Sequence, residues 1–295
     1  MKFKSLSILF FIILFVFNTN ASILDSVKTN KKRVAIVSGS LGLYFTASYL
    51  YVQNAWWGDI SEEFHFDPGI DLVYALNVDK AAHFFGGVYA SDLFSSSYRW
   101  AGIGETRSKW YGAAFGIGIQ LAIEFKDAYA PYWGFSKWDL GLGSAGALWP
   151  VLQNYYNPLR AVNFKFSYLK RSNIYWDLEA QRGKNPSKFS WFDDYPNQTY
   201  WMTLDLDKLT NNNSLPKWMD IAVGFGLDDT QYLSGGTKMG GNQELYIALD
   251  YDTNKILKKW NTPLAKKIKF ILKYYKLPAP TIQFFPKINF FPFFM

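Results

Sequence analysis

The chain has 295 residues, of which 49% are hydrophobic, 20% aromatic and 19% charged; this excludes a disordered tail protein or a coiled coil and leaves one large domain or two of ordinary size. Cysteine is absent, which excludes a disulfide framework, a thiolate nucleophile, a thiolate metal site and a lipid-modified cysteine. The net charge of +7 divides into +5 over residues 1–33, −7 over 34–254 and +9 over 255–295, with only six arginines, so the acidic body excludes a nucleic-acid-binding face while the lysine-rich C-terminal region suits anionic lipid headgroups.

Lys2 and Lys4 precede an apolar run from Leu6 to Phe17, interrupted by Ser7, and Asn18 to Ala21 follow. This is the pattern of an export signal over residues 1–21, cleaved after Ala21, and the run is shorter than the roughly 20 residues that span a bilayer. The mature chain is expected in the periplasm or outer membrane of a Gram-negative bacterium.

Helices are expected at 34–53, 79–96, 109–127 and 137–156. Val34 to Val52 is long enough to cross a membrane and carries Ser38, Gly39, Ser40 and Gly42. Small-residue pairs recur at Gly112/Gly116, Gly141/Ala145 and Gly143/Ala147. Such spacing lets helix backbones approach closely, in a membrane or in a tightly packed soluble bundle. Ser136 and Asp139 have capping-box spacing, with Asp where Glu or Gln is usual, and Pro150 is expected to kink or end the fourth helix.

Polar residues interrupt these helices. Asp79 and His83, four apart, share a face, so the carboxylate is expected to orient the imidazole. Gln120, Glu124 and Asp127 form a stripe on an otherwise apolar third helix. Buried acids are costly unless they meet a positive charge, a hydrogen-bond network or a metal, and Lys80, His83 and Asp139 are the nearest candidates. Such a cluster suits general acid–base or nucleophilic work by the imidazole, or an oxygen-rich site for Mg, Ca or Mn. Equally, Asp79 and Asp139 can be first-turn acids, and Glu124 and Asp127 a solvated face.

Asp79-Lys80-Ala81-Ala82-His83-Phe84, Glu124-Phe125-Lys126-Asp127 and Gly134-Phe135-Ser136-Lys137-Trp138-Asp139-Leu140 resemble the DK-x-x-H-F, E-x-K-D and G-F-S-x-x-D-L blocks of the YfiM-like family of predicted periplasmic lipoproteins. The pattern is more distantly similar to VanZ-like membrane proteins, whose DK-x-x-H helix and later Glu and Asp lie on a small helical bundle. The resemblance covers about residues 72–156. It implies that Asp79, His83, Glu124, Asp127 and Asp139 belong together, and it implies no activity. One departure is plain: without cysteine, membrane attachment needs a device other than lipidation.

After Pro158 the period changes to two. Asn163–Tyr168, Thr199–Leu206, Met219–Leu227 and Glu244–Tyr251 are expected strands of an antiparallel sheet, with loops at Asn211–Ser214 and Ser234–Gly241. Five or six strands are too few for an eight-stranded barrel unless the regions around Ile174–Glu179 and Ile282–Phe294 contribute. A sheet packed on the helices is therefore preferred over a barrel-like one. Thr262 and Pro263 open a basic amphipathic helix with Leu264, Ile268, Ile271 and Tyr275 on one face, facing either the core or an anionic membrane surface. Phe284, Phe285, Phe290, Phe291, Phe293 and Phe294 are expected to be buried, in the fold or in lipid.

The chain thus reads as α+β: a signal peptide at 1–21, an N-terminal bundle of about four helices at 22–158, and a β-rich antiparallel part with a C-terminal helix at 159–295. The expected function is that of an exported, membrane-associated cell-envelope protein whose polar cluster serves binding or structural support. The alternative is a hydrolase or transferase acting on a lipid-linked or envelope phosphate or ester. In that reading Asp79, His83, Glu124, Asp127 and Asp139 are catalytic candidates, and Lys80, Gln120 and Ser136 contact substrate. No cofactor is required, though the acids suit a divalent cation; membrane lipid is the expected partner and nucleic acid is not. No nucleophile elbow, Walker loop, dinucleotide fingerprint or HExxH motif is present.

Overall fold

The computed structural model describes residues 29–55, 62–131, 133–182, 193–210 and 215–295. The expected signal at 1–21 and the loop at Asn211–Ser214 lie outside the described residues. The fold is α+β. Helices α1 (Lys31–Ala55), α2 (Val78–Trp100), α3 (Glu105–Asp127) and α4 (Lys137–Tyr155) fall within a few residues of their expected places.

Glycines set the spacing of the bundle. A Cβ on Gly112 would lie 2.2 Å from the Ser91 carbonyl oxygen, and one on Gly146 2.0 Å from that of Phe84, so α2 meets both α3 and α4 backbone to backbone. Gly116 abuts Ala147 in the same seam, whereas Gly141, Gly39 and Gly42 face open space and are not contact glycines. Helix α1 is attached instead by Val37 and Leu41, which pack with Phe94, Tyr98 and Ala101. Pro150 does not end α4: it and Val151 are buried in the packed seam, and the helix runs on to Tyr155. Among the described residues no helix is long and apolar enough to cross a membrane, the 34–52 stretch included.

The second half is a six-stranded antiparallel sheet in the order β1-β2-β3-β6-β7-β8. Its strands are β1 (Val162–Tyr168), β2 (Gln198–Asp205), β3 (Met219–Leu227), β6 (Gln243–Tyr251), β7 (Ala279–Phe285) and β8 (Asn289–Phe294). The loop expected at Ser234–Gly241 is mostly a hairpin, β4 (Gln231–Ser234) and β5 (Thr237–Gly240), turning on Gly235 and Gly236. Between β1 and β2, Ile174–Gln181 is helix α5; short helices α6 (Leu206–Thr210) and α7 (Thr253–Ile256) follow β2 and β6. Helix α8 (Pro263–Tyr274) begins with Thr262 Oγ1 accepting the Ala265 N–H at 3.1 Å, the expected cap.

The sheet meets the helices along its β1–β3 side, where Tyr200 of β2 lies 5.9 Å from Phe85 and Leu227 of β3 packs with Val78, in addition to the β1 edge. Phe164 and Phe166 of β1 pack on Phe84 and Phe85 of α2, with ring centroids 4.7 and 5.9 Å apart. Beyond that side the sheet curls around its other face. The Lys276 N–H, just before β7, reaches the Phe166 carbonyl at 2.9 Å, and Lys165, Trp201, Tyr246, Asp250 and Phe294 are enclosed. The sheet thus packs on the helices as expected and, away from them, also curls in the barrel-like manner, the lesser of the two expectations. The α8 stripe departs from a core-facing arrangement: Ala265 and Tyr274 are buried, while Leu264 is 52% exposed and Ile271 is exposed too.

Candidate functional site

Helix α2 is launched from a strained turn. Ala75, Leu76 and Asn77 have φ of 47°, 48° and 69°, a left-handed run costing on the order of 1–2 kcal/mol per residue. It is held by the Gln243 side chain, which donates to the Leu76 carbonyl at 3.0 Å, and by Ala75 and Val78 packing against Tyr195 and Leu227. Asp79, Lys80 and His83 lie just beyond it, in the first turns of α2. Gln120 and Glu124 arrive from α3, one turn apart and both buried. Asp139 arrives from the start of α4, where Ser136 Oγ accepts its N–H at 3.0 Å, as the capping-box spacing requires.

Sequence spacing missed one member, Asp71. It lies on a single turn of 3-10 helix, Ile70–Leu72, with no periodicity linking it to α2. The preceding segment carries it in by pairing with the α3–α4 loop: His65 donates its N–H to the Ala128 carbonyl at 2.9 Å and accepts that of Phe135 at 3.0 Å. The His65 imidazole faces the Glu63 and Trp133 carbonyls and anchors this segment.

Two groups of carboxylates share Asp139. The first, Asp71, Asp79 and Asp139, surrounds the Lys80 ammonium, which contacts Asp71 and lies 2.8 Å from Asp79 Oδ2 and 3.0 Å from Asp139 Oδ1. Ser136 Oγ also donates to Asp71. The second comprises His83, Glu124 and Asp139, whose ligand atoms lie within 4.8 Å of one another. His83 Nδ1–H donates to Gln120 Oε1 at 2.8 Å, which leaves Nε2 with its lone pair when the ring is neutral. Asp139 Oδ2 is 3.9 Å from Nε2 and Glu124 Oε1 is 4.0 Å from Nδ1. Glu124 Oε2 accepts the Ser136 N–H at 2.9 Å, but Glu124 Oε1 and Asp79 Oδ1 are buried with no hydrogen-bond donor.

Seven of the eight residues singled out from the sequence therefore meet. Asp79 does not orient the imidazole, because its carboxylate turns to the adjacent ammonium and Gln120 takes that place. Asp127 closes α3, half-buried, and its charge acts on Glu124, but it is in neither group of close ligand atoms.

Four carboxylates face one ammonium and one imidazole. Burial pushes Asp79 up to about 7 against the pull of Lys80, and pushes Glu124 up to about 8 against that of His83. Burial, with Asp71 alongside, raises Asp139. Burial opposes protonation of His83, but Asp139, Glu124 and Gln120 outweigh it and raise the imidazole above its ordinary value. With four carboxylates for one ammonium and one imidazole, the cluster thus tends to take up protons on Asp79, Glu124 and Asp139 rather than hold their charge unmatched.

Residues 69–155 match the model of a family described as "Predicted periplasmic lipoprotein (DUF2279)". That interval contains every member of the cluster and ends with α4. The match supports an exported envelope protein of the periplasm or outer membrane. No curated protein and no solved structure matches the chain.

Proposed function

We propose that this is a membrane-associated envelope protein whose helical bundle binds a divalent cation at His83, Glu124 and Asp139, tying α2, α3 and α4 together. One observation carries this reading: a sealed set of four carboxylates has a single ammonium as its fixed counter-charge, and Glu124 keeps a buried oxygen aimed at the imidazole without a donor. Lys80 already fills the Asp71/Asp79/Asp139 group, whereas the second group has only the titratable His83 imidazole beside its two carboxyls. Gln120 supports it as an outer partner, because a metal-bound histidine ordinarily donates its other ring N–H to a fixed acceptor. Oxygen-rich ligation favours Mg, Ca or Mn. The same contacts disfavour hydrolysis of a phosphate or ester, since Lys80, the cation that would steady an anionic substrate, is engaged by three carboxylates.

The test is calorimetric titration of the purified full chain with each cation, together with its thermal midpoint. One cation per chain and a midpoint that rises with cation concentration are expected, both lost in Glu124→Gln and His83→Ala. Absence of binding, or binding that survives both substitutions, would overturn the assignment.

A further inference from the structure

Strands β1, β2, β3, β6 and β7 turn polar side chains such as Lys165, Thr203, Asp220, Glu244 and Gln283 inward, beside Trp201, Tyr246 and the Phe294 of β8. They turn apolar residues outward, where a water-soluble sheet exposes its polar face. The paired register makes this plain. Phe164, Met202, Val223, Ile247, Ile282 and Phe290 form one continuous outward row across all six strands. Only its β1 end is covered by the helices; from Met202 to Phe290 the row is exposed. Inside the curl, Lys165 Nζ lies 2.6 Å from Asp250 Oδ2, and Arg171 binds Glu244 at 2.8 Å while the Tyr246 hydroxyl donates to the same carboxylate at 2.7 Å. Polar-in, apolar-out alternation is the arrangement of sheets surrounded by lipid.

We infer that the outward face of β2, β3, β6, β7 and β8 lies in the hydrocarbon of a lipid bilayer; this deepens the membrane association proposed above and rests on it. Hydrocarbon is favoured over a protein partner because the inversion is not confined to one patch. On the bundle, Leu121, Phe125, Trp138 and Leu142 are exposed while Gln120, Glu124 and Asp139 of the same helices are buried. A partner covers one surface, whereas a solvent surrounds all of them. Strands β3 and β6 have nine residues each, the length at which tilted strands cross a bilayer. At one end of the sheet Trp218 and Tyr251 stack, with centroids 5.8 Å apart, as aromatic side chains do at a membrane interface. Helix α8 adds further exposed apolar side chains in Leu264 and Ile271.

Because the chain lacks cysteine, single labels are unambiguous. Ile247→Cys and Val223→Cys report the outward face, and Thr203→Cys, with Ala248→Cys as a second variant, reports the interior; circular dichroism checks each fold. Each carries an environment-sensitive fluorophore in vesicles of phosphatidylethanolamine and phosphatidylglycerol. The outward labels are expected to shift to the blue and to lose emission to brominated acyl chains but not to aqueous iodide, while the inward labels do not respond to the brominated chains. Outward labels quenched by iodide in protein that still floats with the vesicles would overturn the embedded sheet and leave membrane association standing. Protein that fails to float overturns both. Outward labels shielded from iodide without lipid would point to a second copy and also overturn the inference.

Discussion

Asp92 shows how a buried charge behaves here when it is fully matched. Its carboxylate lies 3.0 Å from Lys109, 2.8 Å from Lys273 and 2.6 Å from the Tyr274 hydroxyl, joining α2 to α3 and α8. Burial opposes its ionisation, but Lys109 and Lys273 overcome this and hold its pKa well below the ordinary carboxylate value. In acid the native state therefore binds fewer protons than the unfolded chain, so this stabilisation is complete above the ordinary value of 3.8 and is lost as pH falls through the lower native one. Asp92→Asn should cost roughly 2 kcal/mol at neutral pH, below the usual loss for a broken buried pair because Lys273 reaches water. Its thermal midpoint should approach that of wild type as the pH falls below this range. Asp92 was not singled out from the sequence, because its partners come from distant helices. Asp79, Lys80 and His83 were legible because they share one helix. The left-handed run at Ala75–Asn77 left no sequence mark, since Ala and Leu rarely adopt that conformation and a lone Asn such as Asn77 is too common to announce it.

At the scale of elements, period and capping carried most of the information. Val162–Tyr168 and Met219–Leu227 alternate without interruption, and Thr262 with Pro263 announced α8, so these appear where expected. Which face is buried was not legible, because period two is the same whichever side turns inward. Strand β8 offers a direct comparison: Phe293 is 79% exposed, whereas Phe294 is 4% exposed and stacks on Tyr246 at 4.7 Å. Phe294→Ala should therefore lower unfolding stability in detergent by about 3 kcal/mol. Phe293→Ala should leave that stability nearly unchanged and weaken partition into vesicles, by about 2 kcal/mol if the ring is fully transferred to lipid. Chemical denaturation and vesicle flotation measure the two quantities separately, and equal stability losses for both variants would contradict the assigned faces.

For the whole molecule, buried acids and ion pairs lie inside beside apolar clusters around Phe94, Trp201 and Leu227, while many aliphatic and aromatic side chains remain outside. The bundle gathers four carboxyl groups at the meeting of three helices, and the sheet encloses its own ion pairs. Composition hinted at this through a fifth of the residues being aromatic with no cysteine to lipidate, but only the paired strands reveal how the aromatics are sorted. Extraction of vesicle-reconstituted protein with alkaline carbonate, followed by flotation, tests the claim most directly. Protein that remains with the lipid after carbonate, as apolar surfaces seated in hydrocarbon require, is the predicted result; complete release into the aqueous fraction would contradict it.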